Sequence, residues 1–313
     1  MNPSRTCVTT PLLDHLLQGS SRTFALTIPL LPEPTRLEVT VAYLLFRIAD
    51  TIEDSNRWPR PKKLRALRGL ASFLEDPSTG NPAELASSWK ADPPIEHPGY
   101  LELLADFPAV MRAAESLSPE AWRWVSTHTV RTCHAMSSFV ERESEGSLRL
   151  EDLRDLRAYC YAVAGIVGEM LTELFLLDRE MLHPLAESMR EEAPIFGEAL
   201  QMVNILKDRA HDAGEGRRYL PEAIDLSEVF ALARRDLDTA ARYSSRLERA
   251  GADRGLVAFT ALPILLARAT LDRVEADGPG SRITRGEVAG LAARLQDALE
   301  ERSVATLLGS LEG

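Results

Sequence analysis

Val39-Thr40-Val41-Ala42-Tyr43-Leu44-Leu45-Phe46-Arg47-Ile48-Ala49 runs directly into Asp50-Thr51-Ile52-Glu53-Asp54. The first eleven residues are apolar nearly all round, which places a helix there at the centre of a fold rather than on its surface. The acidic end adds two aspartates four residues apart, and residues at that spacing share a helix face. A second stretch repeats the arrangement: Ile195 to Leu206 is followed by Asp208-Arg209-Ala210-His211-Asp212. Taking carboxylates out of water is costly unless a cation compensates them. A few hard oxygen ligands that need other oxygens to complete the shell suit Mg²⁺ held between protein and a substrate phosphate. With 47 acidic residues in 313, a solvated helix face is the plain alternative for either cluster, and the apolar flanks argue against it.

Outward from these two stretches, nearly everything except the loops has helical periodicity and no alternating strand pattern stands out. Helices are predicted at Thr35 to about Asn56, Lys62 to Glu75, and about 99–115, 118–142 and 150–178. A further one starts at His183-Pro184 and runs through Pro194 to Asp212, where Gly214 and Gly216 break it. Others follow at 226–250, 254–276 and 284–301. The proline-rich stretch 76–99 reads as a loop and the most mobile segment. The pattern predicts a single all-α domain over 1–313, with central helices ringed by amphipathic ones.

A net charge of −11 argues against nucleic acid as a partner, because phosphate backbones need a basic face. It also argues against an anionic membrane surface. Cys7, Cys133 and Cys160 have no metal-ligand spacing, and an odd, sparse count fits a reducing compartment. No signal peptide is expected at the N-terminus. No run of eighteen uncharged apolar residues occurs, so no membrane span is expected. The chain reads as soluble and cytoplasmic.

Arg47 lies three residues before Asp50 on the same face, placed either for an intrahelical ion pair or for a bidentate grip on phosphate. Arg217, Arg218 and Tyr219 follow the Gly-rich turn after the second cluster, as a flexible basic segment that could close over a diphosphate. In Tyr159-Cys160-Tyr161-Ala162-Val163-Ala164-Gly165-Ile166-Val167-Gly168, two helical glycines three apart cost about 1 kcal/mol each relative to alanine. They imply close approach at that face, either by a neighbouring helix or by an apolar ligand tail. Tyr159 and Val163 share a face beside it. Gln201 and Asn204 share a stripe with Asp208, and buried amides there need partners that a metal-diphosphate shell would supply.

These stretches together resemble the squalene/phytoene synthase family, the head-to-head prenyl synthases, over most of the chain. Ser21-Arg22-Thr23-Phe24 resembles the family's N-terminal Ser-Arg-Ser-Phe element. Tyr43 through Asp54 resembles the first aspartate-rich signature in its squalene-synthase form, with Asp-Thr rather than two adjacent aspartates. Tyr159 through Gly168 resembles the Val-Ala-Gly-x-Val-Gly segment. Gln201 through Asp212, with Gly216-Arg217-Arg218-Tyr219-Leu220-Pro221, resembles the second signature and its trailing motif. Leu262-Pro263, then Ala269-Thr270-Leu271, is similar as well. His211 stands where the family usually has Glu, and Lys207 where it usually has Arg. The Lys-rich segment of eukaryotic squalene synthases is not recognisable, which leaves the reductive half-reaction open; no C-terminal membrane anchor is expected.

The resemblance implies an isoprenoid-synthase helical bundle around a central cavity, condensing two farnesyl diphosphates through presqualene diphosphate to squalene. Asp50, Glu53, Asp54, Asn204, Asp208 and Asp212 would ligate Mg²⁺. Ser21, Arg22, Phe24, Tyr43, Arg47, Val163, Gly168, Gln201, Asn204, Arg217 and Arg218 would contact substrate. Tyr159 would handle a proton or stabilise a cation. NADPH would supply hydride to the second step, and product release would allow a peripheral membrane contact. The alternatives are a synthase stopping at presqualene diphosphate or making dehydrosqualene or phytoene, and a non-catalytic relative acting as an assembly protein.

Overall fold

The computed structural model of the protein describes residues 6–21, 23–144, 147–221 and 224–309. Its helices pack into two compact units, Met1–Pro29 with Glu33–Gly146, and Leu30–Pro32 with Ser147–Gly313.

In the first unit the Thr35–Glu53 helix is central, as its apolar sequence requires. Val41, Ala42, Leu44, Leu45, Ile48, Ala49 and Ile52 are wholly buried. Full burial of each large aliphatic side chain contributes about 1.5–3 kcal/mol relative to exposure. The helix packs against Arg60–Glu75 and Pro119–Arg142, which also pack against each other. The buried Lys63–Glu143 ion pair, at 2.9 Å, ties the start of one of these neighbours to the end of the other. Burial pushes the thiol of Cys133, in the Pro119–Arg142 helix, up to about 12.

The expected loop over 76–99 holds the Pro82–Ala91 helix instead. Asn81 caps it by accepting from the Ala83 N–H at 2.9 Å, and Pro82 sits where a missing donor costs nothing. Pro98 likewise opens the Pro98–Ala105 helix, so these prolines start helices rather than interrupt them. Trp89 anchors the segment against Phe107 with ring centroids 5.4 Å apart, and Phe107 in turn meets Phe73 at 5.6 Å. The helix predicted at 99–115 is divided at Asp106 into Pro98–Ala105 and Phe107–Ala114. The Thr6–Ser20 helix, which the sequence pattern did not mark, packs on Thr35–Glu53.

In the second unit the 29-residue Ala186–Gly214 helix is central, contacting Ile166–Leu177, Leu226–Arg249 and Arg254–Asp277. The helix predicted over 150–178 contains one π-helical turn, Tyr161–Gly165, between Leu153–Cys160 and Ile166–Leu177. Such turns insert a residue into the ladder and redirect the side chains on either side. A two-residue parallel ladder, Leu148–Arg149 with Arg217–Arg218, also forms. It is too short to leave an alternating pattern. Leu153–Leu177 and Arg254–Asp277 are long and apolar enough to cross a membrane, although each carries an occasional charge and so contains no uncharged run of eighteen. At least half of each apolar stretch is buried in the protein.

Candidate active-site residues

On the Thr35–Glu53 helix, the residues left half-exposed in its second half form a single stripe: Tyr43, Arg47, Asp50 and Asp54. Their spacing of four, three and four follows one helix face. Arg47 is the hub of the stripe. Its Nε donates to Tyr43 Oη at 3.2 Å, and its Nη1 donates to Asp50 Oδ2. Its Cζ lies 5.5 Å from the Tyr43 ring centroid and 5.6 Å from that of Tyr100. Burial works against the charge on Arg47, but Asp50 and the two tyrosines outweigh it and hold the guanidinium above its ordinary range. Glu53 departs from the stripe: it is buried in the unit while the two aspartates are half-exposed.

Tyr43 also links this stripe to the N-terminal element. Its hydroxyl donates to the Ser20 carbonyl at 2.9 Å, and its ring meets Phe24 at 5.4 Å. Ser21 Oγ accepts from the Phe24 N–H at 2.9 Å, fixing the turn into the Phe24–Thr27 helix. Ser21, Phe24, Tyr43 and Arg47 are thereby brought together in the first unit. Arg22 lies outside the described residues.

In the second unit, Gln201, Asn204, Asp208 and Asp212 follow one stripe of the Ala186–Gly214 helix, with Asn204 exposed and the other three half-exposed. Lys207 Nζ donates to Asn204 Oδ1 at 3.3 Å and pairs with Asp208 at 3.1 Å. Burial pushes the Asp212 carboxyl up to about 6; Arg217 opposes the shift and Asp208 adds to it. Arg282, which lies in no motif, reaches 4.0 Å from Asp208, and the neighbouring Gly280 N–H donates to the Lys207 carbonyl at 2.7 Å.

Arg217 and Arg218, expected as a flexible segment, lie in a short ladder. They pair with Leu148 and Arg149, the Leu150 N–H donates to the Arg218 carbonyl at 3.2 Å, and Ser147 Oγ donates to the Gly216 carbonyl. Gly216 supplies the turn with φ +85°, where a side chain would be strained. The same segment delivers Tyr219 onto Tyr159. Their rings stack at 4.6 Å and 27°, and Tyr159 Oη donates to Tyr219 Oη at 3.1 Å. Val163 sits half-buried on the π-helical turn that follows. Arg157, two residues before Tyr159, joins Glu198 at 2.8 Å and Asp236 at 2.9 Å, bracing the Tyr159 helix against two others. Burial pushes the Glu198 carboxyl up to about 6, against the pull of Arg157.

Gly168 faces a helix. A Cβ at Gly168 would collide with the Ala193 carbonyl oxygen, and one at Gly197 with that of Ala164. Of the two explanations for glycine here, the neighbouring helix accounts for Gly168.

The carboxylates fit Mg²⁺. Aspartates on successive turns, one pushed toward protonation by burial and by its like-charged neighbour, form a charge arrangement that a divalent cation relieves. Among the described residues no three His, Cys, Asp or Glu groups come together to hold a metal. Mg²⁺ takes one or two carboxylates and completes its shell with phosphate oxygens and water.

A model of the squalene/phytoene synthase family matches residues 17–229. The chain belongs to that family. Among its relatives, the squalene synthase of Eremothecium gossypii is 28% identical over 210 residues, 67% of this chain and 45% of the relative. Botryococcus squalene synthase of Botryococcus braunii is 30% identical over 203 residues, 64% of this chain and 39% of the relative. The chain therefore spans less than half the length of these curated relatives. Among solved structures, TcSQS in complex with a ligand superposes with a TM-score of 0.76 at 25% identity, covering 95% of this chain and 91% of that one. A dehydrosqualene synthase in complex with ligand superposes at 0.61 with 19% identity, covering 94% and 97%. The fold is the all-α isoprenoid-synthase fold.

Proposed function

We propose that this family member is a prenyltransferase of the squalene-synthase type, working as one catalytic domain on two farnesyl diphosphates. The observation that carries this reading is the pair of acid-tipped helices, each presenting two aspartates on one half-exposed stripe next to a fixed arginine. Asp50, Glu53, Asp54, Asn204, Asp208 and Asp212 would hold Mg²⁺, which when bound supplies Lewis-acid neutralisation of a departing diphosphate. Arg47, Arg217 and Arg218 bind diphosphate oxygens; the ladder and the tyrosine contacts hold these cations in place before substrate arrives. By the resemblance, Ser21, Phe24 and Tyr43 of the first unit and Val163 and Gln201 of the second would contact substrate, as would Arg22, which lies outside the described residues. The apolar neighbours of the stripes keep water from the allylic cation that diphosphate loss creates.

Carbon–carbon bond formation between the two chains gives presqualene diphosphate with loss of a proton. Tyr159, whose hydroxyl is oriented by Tyr219, holds that proton or stabilises the cation. NADPH, as a second substrate, would supply the hydride that with loss of the second diphosphate gives squalene. The protein works in the cytoplasm and meets a membrane peripherally when its apolar product leaves.

Incubation with farnesyl diphosphate and Mg²⁺, with and without NADPH, tests the reading by mass spectrometry of the products. Squalene formed only with NADPH is the expected result. Presqualene diphosphate or dehydrosqualene as the end product in the presence of NADPH would place the chain with the non-reducing synthases. No turnover of farnesyl or geranylgeranyl diphosphate would overturn the enzymatic reading. Tyr159→Phe keeps the stack but removes the hydroxyl donor. It is expected to slow turnover about 100-fold, a loss of the size general acid–base groups give, with little change in KM.

A further inference from the structure

We propose that Tyr100 is a positioning residue for diphosphate binding, clamping the Arg47 guanidinium against the Asp50 stripe. The proposal rests on the reading of Arg47 as a diphosphate contact. Tyr100 lies in the first turn of the Pro98–Ala105 helix, just after the stretch whose prolines suggested a loop. Its ring centroid is 5.6 Å from Arg47 Cζ, and the Tyr43 ring is at 5.5 Å. Two aromatic rings therefore share one cation. His97 packs against Tyr100 with ring centroids 4.4 Å apart. The backing is local and covalently fixed, because His97 is the residue from which the Pro98–Ala105 helix starts.

The bonds that Arg47 makes use its Nε and Nη1, directed to Tyr43 and Asp50. Among the described residues its Nη2 makes no hydrogen bond, so the edge of the guanidinium that carries it can take an oxygen anion. A free arginine has rotamer entropy to lose on ordering. Tyr43 and Asp50 restrain Arg47 from its own helix, each through a bond to one nitrogen. Tyr100 comes from a different helix, and it stops the guanidinium from swinging off the stripe while Asp50 engages a metal. This contact is assigned to the ring, which Tyr100→Phe would keep.

Inorganic pyrophosphate with Mg²⁺ is the probe, titrated calorimetrically into the parent protein and into Tyr100→Leu and Tyr100→Phe. A cation–π contact at a partly desolvated site corresponds to a loss of about fivefold in affinity. Tyr100→Leu is expected to show that loss. Tyr100→Phe retains the ring and is expected to bind as the parent does. A merely structural role would lower the melting temperature of the leucine variant without changing pyrophosphate affinity, and that result overturns the proposal. So does equal weakening in the leucine and phenylalanine variants, which would assign the effect to the hydroxyl. A parent protein that does not bind Mg²⁺-pyrophosphate would instead overturn the reading beneath it. Arg47 Nε–H relaxation by NMR reads the clamp without any ligand: it should become more mobile in Tyr100→Leu, and unchanged mobility sinks the clamp on its own.

Discussion

Asp208→Asn is expected to fold as the parent does and to lose turnover of farnesyl diphosphate by about a thousandfold. Lewis-acid neutralisation of a leaving diphosphate is worth several kcal/mol, and each 1.36 kcal/mol is a factor of ten in rate. Asparagine keeps the size and one oxygen of the ligand but removes the charge that holds a hard cation. The fold loses little, because Asp208 is half-exposed and its pairing with Lys207 at 3.1 Å is a surface ion pair worth about 0–1 kcal/mol. Asp208 is a cleaner probe than Asp50, whose replacement would also release Arg47 from its partner. Steady-state rates across a Mg²⁺ titration, with thermal melts of both proteins, check the expectation. Turnover within tenfold of the parent would remove Asp208 from the metal set.

The helices were legible wherever the apolar period was long and its ends were marked. Thr35–Glu53, Arg60–Glu75, Pro119–Arg142, Leu226–Arg249 and Arg254–Asp277 fall within a few residues of their predicted bounds. The acidic stripes were legible too, because an i, i+4 pair on a helix needs only the helix to be right. What escaped the sequence depends on contacts between distant residues. The ladder that pins Arg217 and Arg218 is two residues long, so its cause is the partner segment at 148–149 and not any period of its own. Tyr219 on Tyr159, and Tyr100 over Arg47, are separated by 60 and 53 positions in the chain and meet only through packing. The prolines of 76–99 misled for a local reason. A proline breaks a helix interior but favours the first turn, and only the Asn81 cap distinguishes the two at Pro82.

Gly168→Ala is expected to destabilise the protein, whereas Gly290→Ala stabilises it, although both glycines lie in helices. Alanine gains about 1 kcal/mol over glycine from helix propensity alone. At Gly290 nothing lies within 4 Å of the added methyl, so that gain is realised nearly in full. At Gly168 the methyl would collide with the Ala193 carbonyl oxygen, which belongs to the backbone of the Ala186–Gly214 helix and cannot rotate away. Gly197 meets Ala164 in the reciprocal sense, so the two helices touch backbone to backbone at two points. Relieving either collision means separating the helices and opening gaps along a packed face. Overpacking of this kind costs about 1–3 kcal/mol and occasionally more, which exceeds the propensity gain. Thermal and urea unfolding of the two variants measure the opposite signs directly; a Gly168→Ala protein as stable as its parent would mean that the helices are not in contact there. The same displacement moves Asp208 and Asp212 relative to Tyr159, since one helix carries the carboxylates and the other continues from the tyrosine. Gly168→Ala should therefore lower turnover further than its stability alone explains, even at temperatures where the variant remains folded.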